Sequence, residues 1–317
     1  MKDLNMNKSF KTIYFIGNGF DLHHSLKTQY IDLKNFIKLT NEDLALKIDK
    51  LLLYCGCTDE EIKDWKDLEN YFCNINDMDY DSILDNALQN CETNIEKASY
   101  WGDAQYNADK IRTDLIETLM ELKKSFAGWI ESINLNKVKK SKLFTLNKSG
   151  LYISFNYTET LEKVYTVEEE NIIHIHGKVN EYYVLGHNDI RKAPYTNPHE
   201  TQCDGITSFP DEDFRCVEVR KILNKTYNEI YDAYYKNSIK IIDKYKDAFK
   251  LVSNAYKLVF MGLSMGTQDL IYLEEISKHI NKKCSIEIYY YSSNDLDRFV
   301  SITKKYFSNQ QIEYIKW

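Results

Sequence analysis

Proline is nearly absent, with three residues in 317, and glycine numbers eleven, which excludes collagenous, linker-rich and low-complexity architectures. No apolar run approaches the roughly 20 residues needed to span a bilayer. The opening stretch 1–11 is polar and carries no signal-peptide core, so the chain is expected in the cytoplasm with no membrane partner. Cysteines are few and scattered: seven in all, an odd count, with Cys55 and Cys57 the closest pair and no Cys-x-x-Cys. That pattern suits free thiols in a reducing compartment and excludes a zinc ribbon. Arginine is also scarce, five residues among 41 basic ones, and the formal charge is −7. A chain of that charge lacks the phosphate-neutralising surface that nonspecific duplex binding requires, so nucleic acid is not an expected partner. The lysine tract Lys137, Lys139, Lys140 and Lys142 reads as a solvated helix end, its sharper alternative being a contact for a nucleic-acid-targeting toxin.

What is present is a globular chain, 43% hydrophobic and 28% charged, of a length that predicts two domains. Lys11–Ile16 (KTIYFI) is a buried-strand pattern running into a glycine turn. From Tyr30 to about Lys140 the apolar residues take helical spacing, as in Leu115, Leu119, Leu122, Phe126 and Trp129. Strand-like text returns at Leu151–Phe155, Asn171–Ile175 and Tyr182–Leu185, and a helical stretch covers about Phe214–Ala255. Lys257–Met261, Ser285–Tyr291 and Ile312–Trp317 follow as strands. Strands alternating with helices predict an α/β fold with a mostly parallel sheet covered on both faces. The expected division is a nucleotide-binding domain over 1–30 and 145–317, with a helical insertion over 31–144 serving as lid or assembly surface.

Four strand ends carry the candidate chemistry. Gly17-Asn18-Gly19-Phe20-Asp21 follows the first strand, where glycines let backbone approach a ligand and a helix amino terminus presents N–H groups to an anion. A third glycine is missing, since Leu22 stands in its place, and a plain strand-to-helix turn explains the segment equally well. A valine at Gly19 is expected to block ligand binding and leave the fold intact. Asn156 and Tyr157 close the next strand; an Asn there suits a ribose hydroxyl or a positioned water, against the commoner role of helix cap. His174-Ile175-His176-Gly177 closes another, with alternation placing both imidazoles on one face and either able to act as general base. A metal reading would draw on His187 or Asp189, but their spacing matches no zinc motif, and no metal is expected. Gly262-Leu263-Ser264-Met265-Gly266 repeats the strand-then-turn pattern, with Asp269 beyond it; Ser292, Ser293 and Asn294 follow the next strand. Together these place glycine turns, an amide and imidazoles at one sheet edge, the layout of a nucleotide site at a topological switch point.

The strings IGNGFDLHHSLKTQY, WKDLE at Trp65–Glu69, SFNYTETLEKVY, HIHG with the later LGHN, and MGLSMGTQDL resemble the AbiH family of phage abortive-infection proteins, in order from Gly17 to Asp269. That family in turn is distantly similar to the SIR2-type NAD-binding fold. The resemblance implies a Rossmann-like, SIR2-type sheet with large helical insertions, NAD or a related adenine nucleotide as substrate, and a phage-encoded trigger or a homo-oligomer as partner. It implies Gly17 and Gly19 beside the pyrophosphate, Asn156 at the nicotinamide ribose, His176 as the catalytic histidine, and Gly262 and Ser264 near the adenosine half. Asn18 and Asp21 stand where SIR2 proteins usually have Ala and Ser, and Thr158 where many have Asp. The missing cysteine quartet removes the zinc module of deacetylases, which leaves NAD-hydrolysing defence effectors as the closer comparison. The expected reaction is cleavage of the nicotinamide–ribose bond, with Asn18, Phe20, Asp21, Tyr157, Gly177 and Asn294 among the residues around the nucleotide. A sensor that binds nucleotide without cleaving it is the alternative.

Overall fold

The computed structural model describes residues 10–72, 80–89, 91–92, 96–97, 99–188 and 214–317. Among the described residues six strands form one sheet: β1 Thr12–Ile16, β2 Leu151–Ser154, β3 Ile172–His174, β4 Lys257–Met261, β5 Ser285–Tyr290 and β6 Gln311–Lys316. Their order is β3-β2-β1-β4-β5-β6 and every neighbouring pair is parallel. This is a Rossmann-like arrangement, in which successive strands move outward from β1 on one side and then on the other. All its carboxyl ends lie along one edge.

The central strands are apolar at consecutive positions because both faces are covered. One face carries Ile13, Phe15, Ile153, Phe260 and Ile286 in a core that includes Tyr272 of the helix Leu270–His279. The other carries Tyr14, Ile16, Tyr152, Val259 and Met261, packed with Phe20, Leu161 and Tyr165. Matching register stacks rings along the sheet: Tyr14 on Tyr152 at 4.5 Å and Phe15 on Phe260 at 4.8 Å. β6 lies at the border and carries only exposed and half-buried residues.

Tyr182–Leu185 does not join the sheet as a strand. The border strand β3 stops at His174, and the chain folds back so that Tyr183 forms one isolated antiparallel bridge with Gly177. A segment that pairs with a turn has no continuous ladder on which to extend.

The chain divides into two compact units, the first comprising Met1–Gln29, Ala127–Val184 and Asn237–Trp317, the second Tyr30–Phe126 and Leu185–Lys236. The first holds the whole sheet. The second is helical, and motif residues are structural within it. Lys34 Nζ donates to Asp49 Oδ1 at 2.8 Å and to the Ile62 carbonyl at 2.5 Å, while Trp65 Nε1 donates to the same carboxylate at 2.7 Å. Trp65 is thus the aromatic wall of a buried ion pair. His187 is buried too, its main chain bonded to Tyr234 and Lys236. The long helix Ser99–Ser132 buries the predicted stripe of Leu115, Leu119, Leu122, Phe126 and Trp129. Among the described residues no helix is long and apolar enough to cross a membrane.

Candidate functional site

The carboxyl ends of β1 and β4 stand side by side, with Ile16 in register with Met261. The order of strands reverses here, the place where open α/β sheets form a crevice. The two glycine turns meet directly at this point. Gly17 N donates to the Met261 carbonyl at 3.0 Å, Gly19 N to the Gly262 carbonyl at 2.9 Å, and Phe20 N to the Gly17 carbonyl at 2.9 Å. A Cβ on Gly17 would lie 2.6 Å from the Gly262 carbonyl oxygen, and one on Gly19 would lie 2.7 Å from the Gly262 Cα. These glycines therefore answer a close backbone–backbone approach, and three N–H groups of the turn are already bonded within the chain. A valine at Gly19 cannot leave the fold intact, because its side chain would collide with the facing turn.

The rest of that segment falls into three environments. Asn18 is exposed, and its Nδ2 donates to the Thr28 carbonyl at 2.7 Å. Phe20 is fully buried in the second core, against His24, Phe144 and Tyr165. Asp21, in the short helix Asn18–His23, is 1% exposed. Beyond β4, Ser264 is exposed; its Oγ donates to Asp269 Oδ2 at 2.8 Å and accepts from Gly266 N at 3.2 Å, which closes the turn into Thr267–Asp269. Beyond β5, Ser292 and Asp295 form the capping box of the helix Ser293–Tyr306, and Asn294 is exposed on its first turn.

At the end of β2 the polar groups converge on Asp21. Thr158 Oγ1 donates to Asp21 Oδ2 at 2.5 Å and Thr160 Oγ1 to Asp21 Oδ1 at 2.7 Å. Asn156 stands near the same carboxylate and favours its charged form. Asn156 does not cap the helix Thr160–Lys163; the residue at that cap is Glu159, which makes no side-chain capping bond. The Asn156 main chain is held, the N–H by Ser154 Oγ at 3.2 Å and the carbonyl by His174 Nδ1 at 3.1 Å. Asn156 Oδ1 is buried and has no partner among the described residues.

Burial raises the Asp21 carboxyl from its ordinary 3.8 to about 6, against the opposing pull of the Thr158 and Thr160 hydrogen bonds, of nearby Asn156 and of the charge of His174. A carboxyl that holds its proton more tightly when folded supports the folded state below pH 3.8, and that support is lost as pH rises through about 6. Asp21→Asn removes the titration. Its stability relative to wild type is expected to improve between pH 4 and 7, by at most about 3 kcal/mol, in urea unfolding measured across that range. A wild-type-minus-variant difference that stays flat would contradict it.

The two histidines separate. β3 ends at His174, whose Nε2 bonds Glu162 Oε1 at 2.8 Å, and Lys178 Nζ bonds the same oxygen at 2.9 Å. Burial alone would push the Glu162 carboxyl up, but the hydrogen bonds and charges of His174 and Lys178 outweigh it and hold it at about 2. His176 follows in a tight turn, closed by Gly177 N donating to the His174 carbonyl at 3.0 Å. Its ring sits among Phe155 at 5.5 Å, Tyr157 at 6.1 Å and Tyr272 at 6.1 Å. Phe155 and Tyr272 belong to one core and Glu162 adjoins Leu161 of the other, so the imidazoles take opposite faces of the sheet. Strand alternation fails because the strand stops before His176. Gly177 itself has φ +84°, and a Cβ there would lie 1.9 Å from the Tyr182 carbonyl oxygen. Tyr157 donates its hydroxyl to the Val184 carbonyl at 2.8 Å.

Tyr157 and Thr158 also line a cleft at this edge, whose charged groups are Glu131, Glu159, Lys163, Glu169, Lys178 and Glu181. Carboxylates outnumber ammonium groups there. Sequence reasoning missed Thr160, Glu162 and Lys178. The Thr-x-Thr-x-Glu spacing after Asn156 was their visible signal, but it reads equally as the start of a helix. The structure brings together Asp21, Asn156 and Thr158. It leaves Ser264 and Asn294 as exposed residues on the turns after β4 and β5. The lysines at 137, 139, 140 and 142 are exposed. Asp189 lies outside the described residues; among those, no three His, Cys, Asp or Glu side chains gather as metal ligands would.

A family model described as bacteriophage abortive infection AbiH matches residues 13–290, which is most of the chain and spans every strand except β6. No curated protein and no solved structure matches.

Proposed function

The chain belongs to the bacteriophage abortive infection AbiH family, and from that premise we propose that it acts in phage defence by binding NAD at the carboxyl edge of the sheet and hydrolysing the nicotinamide–ribose bond. The observation that carries the reading is Asn156. It closes a strand beside the switch point, its main chain is pinned by Ser154 Oγ and His174 Nδ1, and its Oδ1 is a buried acceptor with no partner among the described residues. A buried acceptor left empty is costly, and a ribose hydroxyl or a water would satisfy it.

In this reading the C1′–N bond breaks with its electron pair passing to the nicotinamide nitrogen, which neutralises that ring. Water adds to C1′ and gives its proton to His176, the histidine at the same edge inside a sleeve of three aromatic rings. The carboxylate-rich cleft beside Tyr157 and Thr158 suits the cationic nicotinamide end better than the phosphates. Since Gly17, Gly19 and Phe20 use their N–H groups within the chain and Ser264 gives its hydroxyl proton to Asp269, the phosphates rely on the exposed side chains of Asn18 and Asn294 along the strand ends.

Mass spectrometry of small molecules retained by the purified protein, and of NAD incubated with it during phage challenge, tests the reading. Nicotinamide and ADP-ribose are the expected products. Uncleaved nucleotide recovered at stoichiometric amount would make the site a sensor and overturn hydrolysis. No bound nucleotide and no nicotinamide release would overturn both.

A further inference from the structure

We infer that the lysine-bearing strap 137–144 and the aromatic stack beside it form a binding surface for single-stranded nucleic acid, with phosphates on the lysines and an unpaired base on the rings. The inference is independent of the NAD reading above.

Residues 132–158 hold five lysines and no aspartate or glutamate, in a chain whose formal charge is −7. Lys137, Lys139, Lys140 and Lys142 are exposed and have no ion-pair partner among the described residues. Lys163 and Lys178, by contrast, are paired with Glu159 at 2.6 Å and Glu162 at 2.9 Å. The tract is not a helix end. The long helix stops at Ser132, a 3₁₀ turn covers Leu135–Lys137, and Val138 is extended. From there to Leu146 the chain forms neither helix nor strand. Side chains fasten it instead. Val138 and Phe144 pack against the second core, and Leu146 lies within it. Ser141 N donates to Tyr165 Oη at 2.9 Å, and Ser141 Oγ lies 2.9 Å from His23 Nε2. Anchors at 138, 141, 144 and 146 leave the lysines among them facing solvent. Like charges held this closely without counter-charges repel one another, and a polyanion relieves that repulsion.

Aromatic rings adjoin the same segment. His23 stacks on Trp317 at 4.6 Å, and Phe144 lies 5.6 Å from the first ring and 6.1 Å from the second. Tyr289 stands 5.5 Å from Trp317. All four residues are half-buried, so part of the stack is open. Lys140 and Lys142 flank the serine that meets His23, which sets two lysines beside the stack. A positive track with adjoining rings holds single strands without reading their sequence. A duplex, whose bases are already stacked, cannot use the rings, and the acidic chain gives it no wider surface. Leu135 lines the carboxylate-rich cleft, which repels phosphate, so the strand lies toward the Phe144 end of the strap.

Fluorescence anisotropy of a short labelled oligothymidylate tests the surface in the full chain. Binding is expected at about 25 mM NaCl, with log K falling against log [salt] at a slope near −3, about −0.7 for each of the four lysines. The variant carrying Lys137→Gln, Lys139→Gln, Lys140→Gln and Lys142→Gln is expected to lose about 100-fold in affinity and most of that slope. These side chains are exposed, so the variant keeps its fold. Trp317→Ala is expected to weaken binding about 5- to 150-fold, the worth of one stacked base. No binding at low salt would overturn the proposal, as would an unchanged slope in the fourfold lysine variant. A blunt duplex bound as tightly as the single strand, or unchanged affinity in Trp317→Ala, would overturn the single-strand assignment. Binding to phosphatidylserine vesicles without binding to the oligonucleotide would make the strap a membrane-facing surface and overturn the proposal too.

Discussion

His176→Gln is expected to slow nicotinamide release by about 10²–10⁴-fold, the range over which a positioned general base accelerates a reaction. Glutamine is the informative replacement because the ring is nearly buried, 7% exposed and packed among Phe155, Tyr157 and Tyr272. Alanine would leave a void among those rings and confuse lost chemistry with lost packing. Glutamine keeps most of the bulk and the capacity to hydrogen-bond, and it removes the group that takes a proton near neutral pH. The melting temperature and NAD affinity should therefore change little while turnover collapses. The assay belongs in infected cells or with the activating condition reproduced, since an effector that kills its host is silent at rest. A folded His176→Gln protein that releases nicotinamide at the wild-type rate would remove His176 from the mechanism and leave the binding site standing.

Gly262→Ala is expected to destabilise the sheet-bearing unit by about 2–6 kcal/mol, combining backbone strain with steric overlap. Gly262 has φ +70°, a region that side-chain-bearing residues avoid, and a Cβ there would lie 2.0 Å from Phe20 N. Neither neighbour can yield easily. The atom met is backbone, in a turn that is itself bonded to Met261 and Gly262 through the N–H groups of Gly17 and Gly19. Thermal unfolding followed by circular dichroism reads the effect directly. A shift of less than about 1 kcal/mol would mean the two turns can part without cost, and the crevice between β1 and β4 would then be open enough for backbone N–H groups to reach a phosphate. The result thus decides between glycines that face a ligand and glycines that face each other.

Asp21 illustrates why a motif can be noticed and its role mistaken. GNGFD presents the aspartate beside glycines that commonly contact a ligand, so it reads as a contact residue. Its actual partners, Thr158 and Thr160, lie almost 140 residues away in sequence. Nothing in local spacing reveals that a short helix after β1 turns this carboxyl toward the end of β2. The same holds for Glu162, which looks like one acid in a charged helix until His174 and Lys178 are folded against it.

The sequence by itself determined the strand positions of β1 to β6 to within a residue or two, the parallel class of the sheet, and the family. These follow from hydrophobic runs long enough to need cover on both faces, and from short strings whose order survives without any knowledge of contacts. Tertiary structure decided the rest. It ended β3 at His174 and so sent His176 to the face opposite its neighbour, because a strand's alternation holds only while the ladder continues. It reduced Tyr182–Leu185 to a single bridge, since the segment's partner is a turn. It pressed Gly17 and Gly19 onto Gly262, and it joined Asp21 to Thr158 and Thr160. Each of those outcomes depends on which strand ends become neighbours, and periodicity along one chain carries no information about what lies across from it.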